Sequence, residues 1–129
     1  MRPEINIYIE KARQCLTNAR LSLGYGLSND AGRGAYIAAF HASQAFIFDR
    51  TGKRAKTHSG AGSEFARLAK EEPRIDKNFS TFLARAYKLK EVADYEYGPD
   101  SEIPLDLSKE SIETAASFID CISKILNDS

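Results

Sequence analysis

Apolar residues recur at intervals of three and four along most of this chain, the spacing that gathers them on one face of a helix. Ile5, Tyr8, Ile9, Ala12, Leu16, Ala19 and Leu23 form the first such stripe and predict a helix over about residues 4–23. Gly24 and Gly26 end it, since glycine tolerates the left-handed cap. Ser28, Asn29 and Asp30 offer N-caps for a second helix over about residues 30–51. Between Ala35 and Phe48 apolar groups occupy almost every face, so this helix is expected to be the most buried, or to serve a core and an interface together. A short third helix is expected over about residues 60–71, capped by Thr57 or Ser59, with Phe65 and Leu68 inward. Asp76 can cap a fourth over about residues 77–96, with Phe79, Leu83, Ala86, Leu89 or Lys90, and Ala93 inside. Gly98-Pro99-Asp100 reads as a turn. A fifth, over about residues 109–127, takes Ser108 as N-cap and carries Ile112, Ala115, Ala116, Ile119, Ile122 and Leu126 inward, with Leu107 and Ile112 at the positions of a hydrophobic staple.

The four prolines, Pro3, Pro73, Pro99 and Pro104, fall between these segments and leave three long windows in which helix is allowed. The chain has a single valine, Val92, and many alanines, a composition that favours helix over strand. No internal repeat or low-complexity linker interrupts 129 residues. The expected fold is all-α: one domain over residues 1–129, an antiparallel four- to five-helix bundle around one core.

Charge and composition narrow the function. Eighteen Lys and Arg balance eighteen Asp and Glu, which argues against a highly basic nucleic-acid coat but leaves room for a local basic patch. The longest apolar runs, Ala35–Phe40 and Ala45–Phe48, are far too short to span a bilayer. No apolar stretch follows Met1-Arg2-Pro3-Glu4, so no secretory signal is read and a cytoplasmic location is expected. Cys15 and Cys121 lie near opposite ends and read as buried thiols of a reducing compartment. No metal is expected, because His41, His58, Cys15 and Cys121 stand at no ligand spacing, and no cofactor is implied. The glycines at 24, 26, 32 and 34 follow no strand, so a phosphate-cradling loop is not supported. Ser43 and His41 stand two apart on a helix and do not face each other; His41 reads as a core or interface histidine.

Two clusters remain. Arg50, Lys53, Arg54 and Lys56 precede His58 with no acidic residue between. The end of the fourth helix gathers Arg85, Lys88, Lys90, Glu91, Asp94, Tyr95, Glu96 and Tyr97. If the second helix runs down, the third up and the fourth down, both clusters share one pole. Cations there would hold a phosphodiester, and His58, Asp94 or Tyr95 would handle protons. His58 is the natural acid or base because its ordinary pKa is roughly 6.5. Lys56 and Lys90 would hold phosphate charge, and Asp94 would orient His58 or Lys90. Tyr95 would donate to a phosphate oxygen. The structural alternatives are a solvated basic turn, and an Asp94–Tyr95 helix end closed onto the loop at 52–59.

Three ordered strings sharpen the reading: Ala35-Tyr36-x-Ala38-x-Phe40-His41-Ala42, Lys56-Thr57-His58-Ser59-Gly60 and Lys90-Glu91-Val92-Ala93-Asp94-Tyr95. On them the chain resembles the HEPN superfamily, in particular its small stand-alone members. The resemblance implies a four- to five-helix bundle, usually a homodimer. It also implies an RNA-associated protein, a metal-independent endoribonuclease or toxin encoded beside a nucleotidyltransferase antitoxin. The alternative is a non-catalytic dimeric module that binds a nucleotidyltransferase partner or a nucleotide. On this resemblance Lys90 stands where the family pattern has arginine, which removes the bidentate fork that suits phosphate. The family's RNases also carry an arginine and a histidine with four to six residues between them; no such pair occurs in this sequence, where three residues lie between Arg54 and His58 and seven between Arg50 and His58.

Overall fold

A computed structural model describes residues 2–95 and 101–128. Its elements are α1 (Pro3–Gly24), α2 (Ser28–Thr51), α3 (His58–Ala69), α4 (Asn78–Tyr95) and α5 (Leu105–Asn127). No strand occurs among the described residues, as the composition predicts. The Gly98-Pro99-Asp100 turn lies outside them.

α2 is the axis of the bundle, touched by each of the other four helices. Alanine makes this possible. Ala31, Ala35, Ala38, Ala39, Ala42 and Ala45 are all wholly buried and line one face of α2 at helical spacing, while Gly32, Tyr36, Ser43, Gln44 and Ile47 carry the burial round its flanks, so neighbours cover most of its circumference. α1 comes nearest: a Cβ added at Gly34 would lie 2.9 Å from Cβ of Ala19. The all-round apolarity of α2 is therefore used up largely within one chain. The larger core side chains follow the 3.6-residue period: Ile5, Ile9 and Leu16 on α1, and Ile112, Ile119, Ile122 and Leu126 on α5. Phe65 of α3, Phe79 of α4 and Phe118 of α5 knit the far side, with ring centroids 5.2 Å apart for each pair that includes Phe118.

Several helix ends differ from expectation. Thr57 caps α3, accepting the Gly60 N–H at 2.9 Å, and Asp76 accepts the Asn78 N–H at 2.8 Å. α5, however, begins at Leu105, with Pro104 at the N-cap. Ser108 is not a cap: it lies in the first turn and its hydroxyl donates to the Ser28 carbonyl at 2.7 Å. Leu107 is thus helical, and the staple geometry does not arise. Ser28 and Asn29 make no cap at α2 either. Asn29 instead accepts the Ile103 N–H at 2.8 Å, tying the segment before α5 to the start of α2.

The direction of the helices also corrects the expected topology. Arg33 meets Asp94 and Tyr36 meets Tyr87, so α4 runs antiparallel to α2, not alongside it in the same sense. α3 runs the same way as α2, since His58 lies by Tyr36 and Phe65 by Phe46. The connection between them has to climb back. Gly52, at φ 77°, turns the chain out of α2. Gln44 then holds it: its amide donates to the Ala55 carbonyl at 2.9 Å, and its oxygen accepts the Ala55 N–H at 2.8 Å. Three residues later the chain reaches His58.

Candidate functional site

The returning loop delivers His58, the first residue of α3, against the middle of α2 and α4. Its imidazole lies 4.4 Å from the Phe40 ring and is stacked on Tyr87, with centroids 5.8 Å apart and planes 16° apart. Nδ1 is 2.8 Å from the hydroxyl of Tyr36. No other hydrogen bond to the ring occurs among the described residues. Burial and the Lys90 charge push the imidazole below its ordinary pKa, with Glu91 acting the other way. Burial, then Tyr87 and Glu91, push the Tyr36 phenol well up. Glu91, with burial, raises the Tyr87 phenol as well.

One to two turns further along α4 sits an ion-pair cluster. Asp94 takes Arg33 on Oδ1 at 2.6 Å and Lys90 on Oδ2 at 3.0 Å. Arg33 also holds Asp30 at 2.7 Å. Burial works against the charge on Asp94, but Lys90 and Arg33 outweigh it and hold the carboxyl below its usual range. Of the two partners expected for Asp94, Lys90 is the one it meets, and His58 is not. Lys90 is correspondingly neutralised by its own helix, and with Asp30, Glu91 and Asp94 nearby this corner is no anion trap. Tyr95, the last described residue of α4, is 68% exposed.

The basic loop divides. Lys53, Arg54 and Lys56 line a cavity of about 400 Å³ together with Thr51, Thr57, Gly60 and Glu64. All three are exposed, and none forms an ion pair among the described residues. The cavity abuts the first turn of α3, where Thr57 and Gly60 face it while His58 faces α2 and α4. Arg50 does not join them. Its guanidinium pairs with Glu72 at 3.1 Å and lies 4.9 Å over the Phe46 ring, near the opposite end of α2 from Arg33. Seventeen residues separate the two arginines, about 25 Å of helix. The expected single pole is thus two neighbouring places: a basic cavity on one flank of the α3 N-terminus, and His58 with its aromatic walls on the other.

Tyr36, Tyr87 and Arg33 are the site residues that sequence reasoning missed. Tyr36 stood in the string that carried the family resemblance but read as one more apolar position of a buried helix. Ser43, which invited a nucleophile reading, donates to the Phe40 carbonyl at 2.7 Å and is fully buried. Cys15 and Cys121 are half-buried free thiols, short of the full burial expected. Among the described residues no group of three or more His, Cys, Asp or Glu could hold a metal ion, and no helix is long and apolar enough to cross a membrane. A larger cavity, about 520 Å³, opens between α4 and α5 and is lined by Phe82, Arg85, Leu89, Val92 and Leu107 among others. It contains none of the residues that could do chemistry at His58.

Comparison with known proteins agrees with the helical fold. The HEPN domain family model matches residues 5–128. A Methanocaldococcus jannaschii protein named "Putative toxin" is 30% identical over 129 residues, covering 99% of this chain and 92% of its own. A UPF0332 protein of Thermotoga maritima is 27% identical over 124 residues, covering 96% and 92%. A UPF0332 protein of Archaeoglobus fulgidus is 28% identical over 124 residues, covering 96% of both chains.

Proposed function

This chain belongs to the HEPN family, and from that premise we propose that it is an RNA-directed protein that grips the phosphate backbone at the N-terminal edge of α3. The observation that carries the reading is the set of cations, Lys53, Arg54 and Lys56, that form no ion pair among the described residues and surround the cavity beside that helix start. Anions are favoured at a helix N-terminus, no acidic residue occupies the first turn of α3, and His58 stands at its first position. Phosphate contacts of this kind release counterions, so binding is salt-dependent and sequence-tolerant.

The test is binding of a labelled single-stranded RNA oligonucleotide across a salt series. Combined charge reversal, Lys53→Glu with Arg54→Glu and Lys56→Glu, is expected to abolish binding and flatten the salt slope. Each lost contact lowers that slope by about 0.7 for a single strand. Retained affinity with an unchanged slope would remove this surface from the reading. The relative's printed name extends the proposal to toxicity: induced expression of the wild type, but not of the charge-reversed variant, arrests growth.

A second reading keeps the notion of a nucleotidyltransferase partner, and Tyr95 favours it, being exposed at the end of α4 with its hydroxyl open to modification. Tyr95→Phe then abolishes any nucleotide mass added by that partner. A two-fold homodimer belongs to either reading. Its interface falls outside the core faces of α2, which the other four helices cover, and light scattering tests it.

A further inference from the structure

The bond that His58 makes to Tyr36 decides what its other nitrogen can do. Tyr36 is 1% exposed, with its ring among Phe40, His58 and Tyr87 at centroid separations of 6.2, 5.6 and 5.5 Å. Nδ1 of His58 is the hydroxyl's only hydrogen-bond partner among the described residues. A neutral imidazole offers one donor and one acceptor. Were Nδ1 to carry the proton, the Tyr36 oxygen would accept it and the phenolic hydrogen would be left against ring faces without an acceptor. A buried donor left in that way loses its full hydration for nothing. The reverse arrangement satisfies both groups: the phenol donates to Nδ1, and the imidazole proton stays on Nε2. No buried side-chain nitrogen or oxygen is without a partner among the described residues.

We infer that Tyr36 fixes His58 as the neutral Nε2–H tautomer, so that the ring donates a hydrogen bond to an anionic oxygen of the RNA and passes no proton: the strand is held at this place and not cut by it. The inference rests on the RNA-directed reading for its ligand, but not for the state of the ring.

The surroundings point the same way. Tyr36 and His41 of α2 face the imidazole, as do Tyr87, Lys90 and Glu91 of α4. Lys11 of α1 stands beyond His41. Lys90 and burial disfavour imidazolium, and Glu91 offsets them only in part. Cleavage by a ribose 2′-hydroxyl needs a base to take that proton and an acid to supply the leaving oxygen. In this tautomer Nε2 has no lone pair with which to act as base. It could act as acid only if the Tyr36 phenol replaced the proton through Nδ1, which would leave a phenolate buried among aromatic rings beside Glu91. Tyr36 is thus a positioning residue, and His58 a donor at fixed charge.

Long-range nitrogen–proton NMR of the full chain reads the tautomer directly, without any substitution. A protonated Nε2 and an acceptor-type Nδ1 are expected. In Tyr36→Phe, which keeps the ring packing, the tautomers mix and the His58 pKa rises, because a bond that favoured the neutral form has gone. RNA affinity separates donor from proton carrier. His58→Gln keeps a neutral N–H donor and is expected to stay within about threefold of wild type, whereas His58→Ala loses about tenfold. Wild-type affinity is expected to be flat between about pH 6 and pH 8, across the range where an ordinary histidine titrates. A protonated Nδ1 in the wild type overturns the inference. So does metal-free RNA cleavage that His58→Ala and His58→Gln both abolish. Failure of the RNA-directed reading registers separately, as a wild-type protein with the expected tautomer and no salt-dependent RNA binding; that outcome removes the ligand and leaves the tautomer standing.

Discussion

At the scale of single residues, side chains read as core fillers turn out to be working polar groups. The pattern of α2 placed Tyr36 and Gln44 on an apolar helix, and both are buried. What the pattern could not reveal is where their polar atoms go, because both partners lie on a loop that returns along the helix. Gln44 is the clearer case. Its side-chain amide acts as a substitute strand, exchanging two hydrogen bonds with the Ala55 peptide. Gln44→Ala leaves both Ala55 groups without these partners and costs about 2 kcal/mol, within the range for unsatisfied buried groups. Because Ala55 is three residues before His58, the same change should also broaden or shift the His58 ring signals. Unchanged His58 resonances at reduced stability would show that the loop is positioned by something other than this amide pair.

Among the elements, α4, like α3, is one that sequence placed correctly and oriented wrongly. Its stripe gave Leu83 and Ala86 inside, and both are buried. Its direction depends on contacts across sixty residues, Arg33 to Asp94, that no local spacing announces. Strict up-and-down alternation failed because the α2–α3 connection climbs back along α2, so α3 starts beside mid-α2. His58 and α4 still meet, for a different physical reason than the one expected. With few fully buried residues, α4 relies on the ion cluster to fix its end. Asp94→Ala strands Arg33 and Lys90, and because all three are partly hydrated the cost is expected to be about 1 kcal/mol. The more telling outcome is local: amide exchange should quicken in the last two turns of α4 and stay unchanged in α1 and α5. Uniform quickening across all helices would mean that α4 is not a separable unit.

For the molecule as a whole, the fold was largely legible and the site only in part. Five helices, one core and the family strings follow from periodicity and residue order. Phe118, wholly buried at the centre of the far-side aromatic cluster, fell outside the stripe assigned to the fifth helix because that core face is wider than one row. Ion pairing was legible only where it is local, and two carboxylates also take a partner from α2 that no local spacing announces: Glu72, in the α3–α4 connection, takes Arg50, and Asp94 takes Arg33. Glu72 is the extreme. Arg74 grips it through both its guanidinium and its backbone N–H, burial opposes the charge, and Arg50 adds a further bond; together they hold the carboxyl down to about 2. A carboxyl lowered on folding stabilises the native state above its unfolded pKa, roughly 4.3, and that contribution is lost as pH falls toward 2. Asp94 acts in the same direction. His58 and His41 are also lowered, chiefly by burial, so the unfolded chain binds protons first below roughly pH 6.5 and stability begins to decline there. Denaturant unfolding across pH is therefore expected to show a plateau at neutral pH, a shallow fall through the histidine range and a steeper one below about pH 4. Glu72→Gln should lower the plateau and shrink the acid step while leaving the histidine step in place. An acid limb of unchanged size in that variant would show that the Arg50–Glu72–Arg74 clamp does not hold the far end of the bundle.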